Sequence, residues 1–253
     1  MSKIKKLPLC LTYTICLFTA HFSWAEPSAL ATIQHQAQQL NLADHPQWQA
    51  LLHYQKGSSL VTNKQFFFHP NGAEDQQAEL NATLAAFFQT ATDNDNSPQC
   101  RFPARFAWLQ QQLNLKKYLP EHRCEKLHNW LKNLAVTGIT LIFPVAYLNN
   151  PASMFGHSFL RLDSQAGEKS DLMAWTVNYA AVTEHEHGVA FAMKGLFGGY
   201  QGQYSLAPYY VLLKEYADLE SRDLWEYTLN FSAAEQHRLL LHLWEIQNAH
   251  FDY

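Results

Sequence analysis

Two stretches of the 253-residue chain decide its fold, ITLIF at residues 139–143 and HSFLRLD at residues 157–163. The first is an apolar run with β-branched and aromatic residues, which is typical of a buried strand. The second alternates polar and apolar side chains from Ser158 onward, which is typical of a half-buried strand. A polar loop at residues 164–171 separates it from a third candidate strand at residues 172–180. These segments together predict an antiparallel sheet.

The flanking segments add helices to this sheet. Between residues 28 and 135 apolar side chains recur at helical spacing, and the predicted helices include residues 74–90, 102–113 and 121–134. Only the three phenylalanines at 66–68 suggest an extended piece. Downstream we predict strands at 203–206 and 225–229 and helices at 188–197, 208–219 and 232–250, the last capped by Ser232. The pattern predicts an α+β fold, an antiparallel sheet with packed helices in residues 136–253, preceded by a helical layer in residues 26–135.

The composition excludes a disordered chain and argues against a nucleic-acid-binding protein. Hydrophobic residues make up 47% of the chain, which is enough material for a core. The 18 Lys and Arg against 22 Asp and Glu leave a net charge of −4. Because there is no excess of positive charge to neutralise phosphates, we predict no nucleic-acid partner.

The first 25 residues have the layout of a secretory signal peptide. Three lysines precede an apolar stretch at residues 7–20, and Ser23 and Ala25 are the small residues of a cleavage site. A membrane anchor is one alternative, although this stretch is shorter than the ~20 residues that a spanning helix needs. Lipidation of Cys16 is another alternative. We predict a signal peptide at residues 1–25 and therefore an exported, periplasmic protein.

Cleavage at that site leaves two cysteines, Cys100 and Cys124. In an oxidising compartment an isolated pair of cysteines usually forms a disulfide. In the alternative interpretation one of them is a nucleophile, but neither lies in a turn before an apolar helix with a histidine at fixed reach. We therefore predict that a Cys100–Cys124 disulfide staples the two helices at 102–113 and 121–134.

His157 is the candidate catalytic base. It follows a glycine at the start of a predicted strand, where the sheet holds one side of the ring and the other side stays reachable. A hairpin loop centred near residue 167.5 pairs residues whose numbers sum to about 335, which places Asn178 opposite His157 on the same face. Asn178 then orients the imidazole as the third member of a Cys-His-polar triad does. A core histidine bonded to a backbone carbonyl, or a one-residue slip of register, is the alternative.

Other residues suggest ligand binding less strongly. His185 and His187 have the spacing of metal ligands if their segment is a strand, with His157 as a third ligand. Their polar surroundings favour a solvated loop, so we predict no metal and no cofactor. Arg101 and Arg105 are suited to a phosphate or carboxylate, and a structural salt bridge is the alternative.

The stretch YLNNPASMFGHSFLR at residues 147–161 closely resembles the signature of the Lnb N-terminal periplasmic domain family. Three further blocks resemble the same family: CRFPAR at 100–105, KGLFGGY at 194–200 and ESRDLWEY at 220–227. The resemblance spans about residues 45–253 and implies a bacterial exported domain with a circularly permuted papain-like fold. One characterised type of the family is a lipoprotein N-acyltransferase, which moves an acyl chain from a phospholipid to the N-terminal cysteine of a lipoprotein.

The resemblance also implies roles for individual residues. It makes His157 the general base of a cysteine-type acyl-transfer site, and we expect Asn178 to orient the base. We expect substrate to bind to residues near the base in that stretch, namely Asn149, Asn150, Ser153 and Ser158. The expected partners are a lipoprotein or phospholipid substrate and a membrane surface.

The sequence departs from the family at the nucleophile. The resemblance places that cysteine in an Asn-Cys motif after an aromatic run that follows the last helix, and this sequence stops at residues 251–253, where that run begins. We therefore expect a truncated member that has no acyl-transfer activity as written. Two alternatives remain, a noncatalytic envelope module that binds lipid or peptide, and a metal-dependent hydrolase that uses His157, His185 and His187.

Overall fold

The computed structural model describes residues 28–89, 94–120, 122–145, 157–164, 171–182, 199–214 and 223–252. Within these residues there are eight α-helices: α1 (Ala29–Gln39), α2 (Pro46–Leu51), α3 (Gln76–Phe87), α4 (Pro98–Arg101), α5 (Pro103–Leu113), α6 (Glu125–Leu134), α7 (Tyr209–Leu213) and α8 (Ala233–Glu245). The same residues form eight strands: β1 (Tyr54–Gln55), β2 (Ser58–Ser59), β3 (Val136–Pro144), β4 (Phe159–Ser164), β5 (Trp175–Val182), β6 (Gln201–Pro208), β7 (Leu224–Leu229) and β8 (His250–Asp252). The fold is α+β, as the sequence predicts.

Six of the strands form one antiparallel sheet in the order β7-β3-β4-β5-β6-β8, and β1 and β2 form a separate small hairpin. Each strand from β3 to β6 pairs with the strand next to it in sequence. The edge strand β7 returns to pair with β3, and the short strand β8 adds to β6 on the other side. Strand β4, which follows His157, therefore lies inside the sheet rather than at an edge.

The two faces of this sheet bury different clusters, because successive side chains of a strand point to opposite sides. We call one side the helix-covered face; its residues Ile139, Leu162 and Val177 pack into a single hydrophobic cluster with the N-terminal helices and α8. We call the other side the histidine face; there Ile142 and Phe159 pack with residues of α7 in a second, smaller cluster. The helical layer thus occupies one side of the sheet and leaves the other side for the candidate site.

The predicted helices are present, and side-chain caps set their boundaries. The Asp75 carboxylate accepts the backbone N–H of Ala78, so α3 begins at Gln76 rather than at residue 74. Ser232 and Glu235 form a reciprocal capping box at the start of α8, which confirms the predicted cap. Helix α8 ends earlier than predicted, because residues 250–252 pair with β6 as strand β8 instead.

The predicted extended piece at residues 66–68 is wrong. Phe66 ends a short 3₁₀ turn, Lys64–Phe66, and the next residues form no strand. The backbone groups here are satisfied by side chains instead of a neighbouring strand. The N–H groups of Phe68 and His69 donate to the Glu79 carboxylate, and the carbonyl of Phe66 accepts from Arg105.

An ion pair with both side chains fully buried lies at the centre of the helical layer. The Arg105 guanidinium donates to the Glu79 carboxylate at 3.1 Å, and neither side chain has any exposed surface. Burial raises the pKa of Glu79 and lowers the pKa of Arg105, and their mutual attraction opposes both shifts. The backbone N–H of Arg105 also donates to Glu245 of α8 at 2.8 Å. The pair therefore ties α3 and α5 to the helix that covers the sheet.

A buried histidine pair lies beside this ion pair. Nε2 of His53 is 3.0 Å from Nε2 of His242 on α8, and the ring of His53 meets Phe251 of β8 edge-on. Burial lowers the pKa of His53 to about 3, and the nearby charges of His242 and Arg105 lower it further in the same direction. His53 is therefore neutral in the folded protein over the physiological pH range.

The predicted disulfide between Cys100 and Cys124 is confirmed. It joins the end region of α4 to the residue before α6, with Cα atoms 5.3 Å apart and a sequence separation of 24. The indole N–H of Trp244 on α8 donates to the carbonyl of Cys100 at 2.8 Å, so the bridge also adjoins the helix that covers the sheet.

We expect removal of the disulfide to destabilise the protein without changing its fold. The Cys100→Ala/Cys124→Ala variant should lose roughly 3 kcal/mol of unfolding free energy, the chain-entropy value for a loop of about 25 residues. Urea denaturation of the variant and of the oxidised protein measures the difference. A loss well below 1 kcal/mol would contradict a stapling role.

We expect His53 to make the protein sensitive to acid. The unfolded chain binds a proton at His53 near pH 6.5, whereas the folded chain binds it only near pH 3. The stability from neutral His53 is therefore complete above about pH 6.5 and is lost as the pH falls towards 3, up to about 5 kcal/mol at about 1.4 kcal/mol per pKa unit.

The test compares urea midpoints between about pH 7 and about pH 4 for the native protein and the His53→Asn variant. Asparagine tolerates the left-handed backbone of residue 53, whose φ is 54°. The variant should lose less stability on acidification, and His128→Asn, a change on the exposed face of α6, should behave like the native protein. Equal acid sensitivity in all three proteins would count against the assignment to His53.

Candidate active site

His157 and Asn178 form a hydrogen-bonded pair on the histidine face. Nε2 of His157 is 2.5 Å from Oδ1 of Asn178, and the bond joins the residue just before β4 to the middle of β5. Both side chains are half-buried. The sheet therefore holds the imidazole at the end of an interior strand, in contact with an amide oxygen.

The pairing of β4 with β5 differs from the predicted register by two residues. Leu160 pairs with Val177 and Leu162 with Trp175, so paired residue numbers sum to 160 + 177 = 337. Continued to the end of the strand, this register places Asn178 opposite Phe159 and diagonal to His157. A shift of two residues keeps every side chain on its face, and a diagonal neighbour remains within reach of a long side chain.

The acceptor in this pair fixes the chemistry of the ring. A carbonyl oxygen can only accept, so with Oδ1 facing the ring the Nε2 atom carries the hydrogen and donates it. The basic nitrogen of the neutral ring is then Nδ1. This is the arrangement in which an asparagine orients the histidine of a cysteine-type acyl-transfer site.

Apolar residues surround the strand that carries the pair. The ring of His157 lies 6.4 Å from the ring of Phe159, which is buried and packs with Ile142, Tyr209 and Leu212. Helix α7 supplies the last two residues and begins directly after β6 at Pro208. A compact apolar floor therefore supports the histidine from the strand side.

A charged network continues the histidine face beyond Phe159. Arg161, whose side chain is 9% exposed, donates to Asp163 at 2.7 Å and to Glu226 of β7 at 3.0 Å. Thr140 of β3 donates to the other oxygen of Asp163 at 2.7 Å. The network crosses three neighbouring strands, β7, β3 and β4, and locks their positions beneath the site.

Tyr209 connects this network to α7. Its hydroxyl donates to Glu226 at 3.0 Å, and the guanidinium of Arg161 lies 5.2 Å from the centre of its ring. Burial raises the pKa of Tyr209 to about 12, and the hydrogen bond to Glu226 raises it too. The hydroxyl therefore stays protonated and remains a donor at neutral pH.

The sequence analysis did not identify this network as a unit. It interpreted Glu226 only as part of an ion-paired face and did not single out Arg161, Asp163 or Tyr209. Arg161 belongs to the alternating run of β4, and an arginine two residues beyond a buried phenylalanine on the same face is a signal that could have revealed it.

The other predicted site residues have different outcomes. Ser158 is exposed, and in the described residues no hydrogen bond joins it to His157 or Asn178. Asn149, Asn150 and Ser153 lie outside the described residues, as do His185 and His187. The catalytic and substrate-binding roles of all these residues stay predictions. Across the described part of the chain, no group of three His, Cys, Asp or Glu side chains is placed to hold a metal ion.

Comparison with known families covers most of the described fold. The model of the Lnb N-terminal periplasmic domain family matches residues 126–253, just over half of the chain. The chain belongs to this family. The matched region of this Lnb-family protein contains the whole six-stranded sheet and the His157–Asn178 pair, and the family's description indicates an exported protein of the periplasm. A domain of unknown function, DUF7843, matches residues 40–112, which lie in the helical layer. No curated protein and no solved structure matches the chain.

Two further predictions concern the membrane. The predicted signal peptide of this Lnb-family protein lies outside the described residues. Among the helices that the structure does describe, none has the length and apolar character needed to cross a bilayer.

We expect Arg161 to be required for the stability of the histidine face. Arg161→Ala leaves Asp163 and Glu226 without their shared cation and should lower the unfolding free energy by roughly 2–4 kcal/mol. Arg123→Ala is the matched control, because the Arg123 side chain is 88% exposed and its contact with Glu125 is 3.6 Å long. The control should cost less than about 1 kcal/mol. Equal costs in urea denaturation would show that the network carries no special weight.

Proposed function

We propose that the histidine face carries the base half of a cysteine-type acyl-transfer site, with His157 as general base and Asn178 as its positioning residue. The observation that supports this most is the 2.5 Å contact between His157 Nε2 and Asn178 Oδ1. It sets the tautomer that makes Nδ1 the proton acceptor. Membership of the Lnb N-terminal periplasmic domain family adds support, because it indicates work in the cell envelope.

The proposed reaction has two steps in which His157 moves one proton each way. In the first, Nδ1 takes the proton of a cysteine thiol as the sulfur attacks the ester carbonyl of a phospholipid, and the lysophospholipid leaves with a proton from the imidazolium. In the second, the N-terminal amine of a lipoprotein attacks the thioester and forms an amide. His157 accepts the proton of the amine and returns one to the cysteine sulfur. The acyl chain is thus transferred without any oxidant or metal.

The nucleophile is the part that the described residues do not supply. Cys100 and Cys124 are joined in a disulfide in the helical layer, so neither sulfur is a thiolate available for attack. We propose that the thiol comes from an Asn-Cys segment that follows β8, as in a permuted papain-like fold where the histidine strand precedes the cysteine. Residues 26–253 alone are then inactive.

A noncatalytic envelope module that binds lipid or peptide is the second candidate. The oxidised state of both described cysteines favours it, since no free thiol is then present among the described residues. The two candidates differ in one measurable property, which is turnover once a thiol is supplied.

We expect acyl transfer to require both a supplied cysteine and the His157–Asn178 pair. Residues 26–253 should show no transfer from phospholipid to a lipoprotein peptide, whereas a version extended through an Asn-Cys segment from the downstream reading frame should be active. In the active version His157→Ala should lower kcat by roughly 10⁴-fold or more, and Asn178→Ala by about 100-fold or more. Mass spectrometry of the peptide measures the transfer.

Matched controls separate this result from general damage. His128→Ala and Asn129→Ala change the same residue types at exposed positions of α6 and should leave kcat unchanged. Activity of residues 26–253 that survives the Cys100→Ser/Cys124→Ser change would overturn the cysteine mechanism. An extended chain that binds phospholipid without turnover would favour the binding module.

A further inference from the structure

A cavity of about 300 Å³ lies on the side of the molecule where the helical layer meets the end of α8. Its volume is at the lower end of the range for small-ligand sites. The wall that matters here consists of the end of α4, the start of α6 and the segment after α8, and the residues of interest are Gln65, Asp95, Arg101, Lys126, Glu245 and Gln247. None of them belongs to the His157–Asn178 site.

Two cations line this cavity without an acidic partner. Within the described residues no carboxylate lies within ion-pair distance of Arg101 or Lys126. Arg101 is held in place, because its guanidinium donates to the carbonyl of Gln65 at 3.4 Å and lies 5.2 Å from the ring centre of Phe102. Both cations are exposed on their outer side, so a ligand can reach them from solvent.

A buried amide donor lines the same cavity. The side-chain Nε2 of Gln247 is buried and has no hydrogen-bond partner in the described part of the chain. A buried donor without an acceptor costs about 1–3 kcal/mol, so a ligand that supplies an oxygen here recovers that loss. The cavity therefore combines two positive charges with one unused N–H donor.

The two acids in the wall are already engaged elsewhere. The Asp95 carboxylate accepts the backbone N–H of Lys126 at 2.9 Å, in the first turn of α6, where a negative charge is favourable. The Glu245 carboxylate accepts the backbone N–H of Arg105 at 2.8 Å and is close to His242. These bonds satisfy the acids and leave Arg101, Lys126 and Gln247 to face a ligand.

We propose that this cavity binds a phosphate-type oxyanion, held by Arg101, Lys126 and the side-chain amide of Gln247. Arginine and lysine pair with phosphate oxygens through charge-assisted hydrogen bonds, which are about twice as strong as neutral ones. The group can be free phosphate or the headgroup of a phospholipid, which share this chemistry. The inference does not depend on acyl transfer at His157.

The position of the cavity gives the site a structural meaning. Gln65 and Arg101 come from the segment matched by the domain of unknown function, whereas Lys126 and Gln247 come from the Lnb N-terminal periplasmic domain segment. Neither matched segment contains the whole set. The oxyanion site therefore exists only where the two segments pack together.

The first test is titration of the purified chain with inorganic phosphate at low ionic strength, by calorimetry. The native protein should bind phosphate, and Arg101→Gln and Lys126→Gln should each weaken binding at least about tenfold. Arg123→Gln removes an exposed cation outside the cavity and should bind as the native protein does. Gln247→Leu should also lose affinity without losing stability, because it removes a donor that has no partner in the unliganded protein.

The second test identifies the source of the phosphate by flotation with vesicles of phosphatidylcholine containing phosphatidylglycerol. Binding to these vesicles that is lost in Arg101→Gln assigns the site to a lipid headgroup. Phosphate binding without Arg101-dependent vesicle binding assigns it to free phosphate. No phosphate binding at millimolar concentration, or equal affinity in the native protein and in the Arg101, Lys126 and Gln247 variants, overturns the proposal. Circular dichroism of each variant confirms that it is folded.

Discussion

The arrangement of the whole molecule depends on the burial of one charged side chain, the guanidinium of Arg105. It has no exposed surface, and it is bonded to Glu79 of α3 and to the carbonyl of Phe66, while its backbone N–H is bonded to Glu245 of α8. A buried charge that loses such a partner is strongly destabilising. The helices must therefore pack in the arrangement that supplies all three partners. Because α8 covers one face of the sheet, this packing leaves the histidine face for the site.

The period of two residues in a β-strand explains why the sequence could predict the histidine pair. The alternation of β4 shows that His157 shares a face with Phe159, and the β4–β5 hairpin brings Asn178 to that same face. The predicted register was two residues out, yet the pair still meets, because only an odd error would have moved Asn178 to the other face. The order of helices and strands was also visible in the sequence, since the change from helical to alternating spacing near Gly138 is sharp.

Other features depend on contacts between residues far apart in the chain, which no local pattern contains. The register error arises because the loop between β4 and β5 is asymmetric, with a 3₁₀ turn at Asp171–Met173 before β5 begins. The segment at 66–68 has strand-like composition, but the carboxylate of Glu79 takes its backbone N–H groups. The link between Arg161 and Glu226 joins residues 65 positions apart and becomes visible only once β7 is placed beside β3.

The most direct test of the site is the protonation of the His157 ring, measured by ¹⁵N NMR in the native protein and in Asn178→Ala at a pH where the imidazole is neutral. If Asn178 orients the base, the native ring carries its hydrogen on Nε2 and shows the shift of an unprotonated Nδ1. The Asn178→Ala variant should show a mixture of the two tautomers. A native ring protonated on Nδ1, or the same tautomer in both proteins, would contradict the assignment of Asn178 as the residue that prepares His157 to accept a proton.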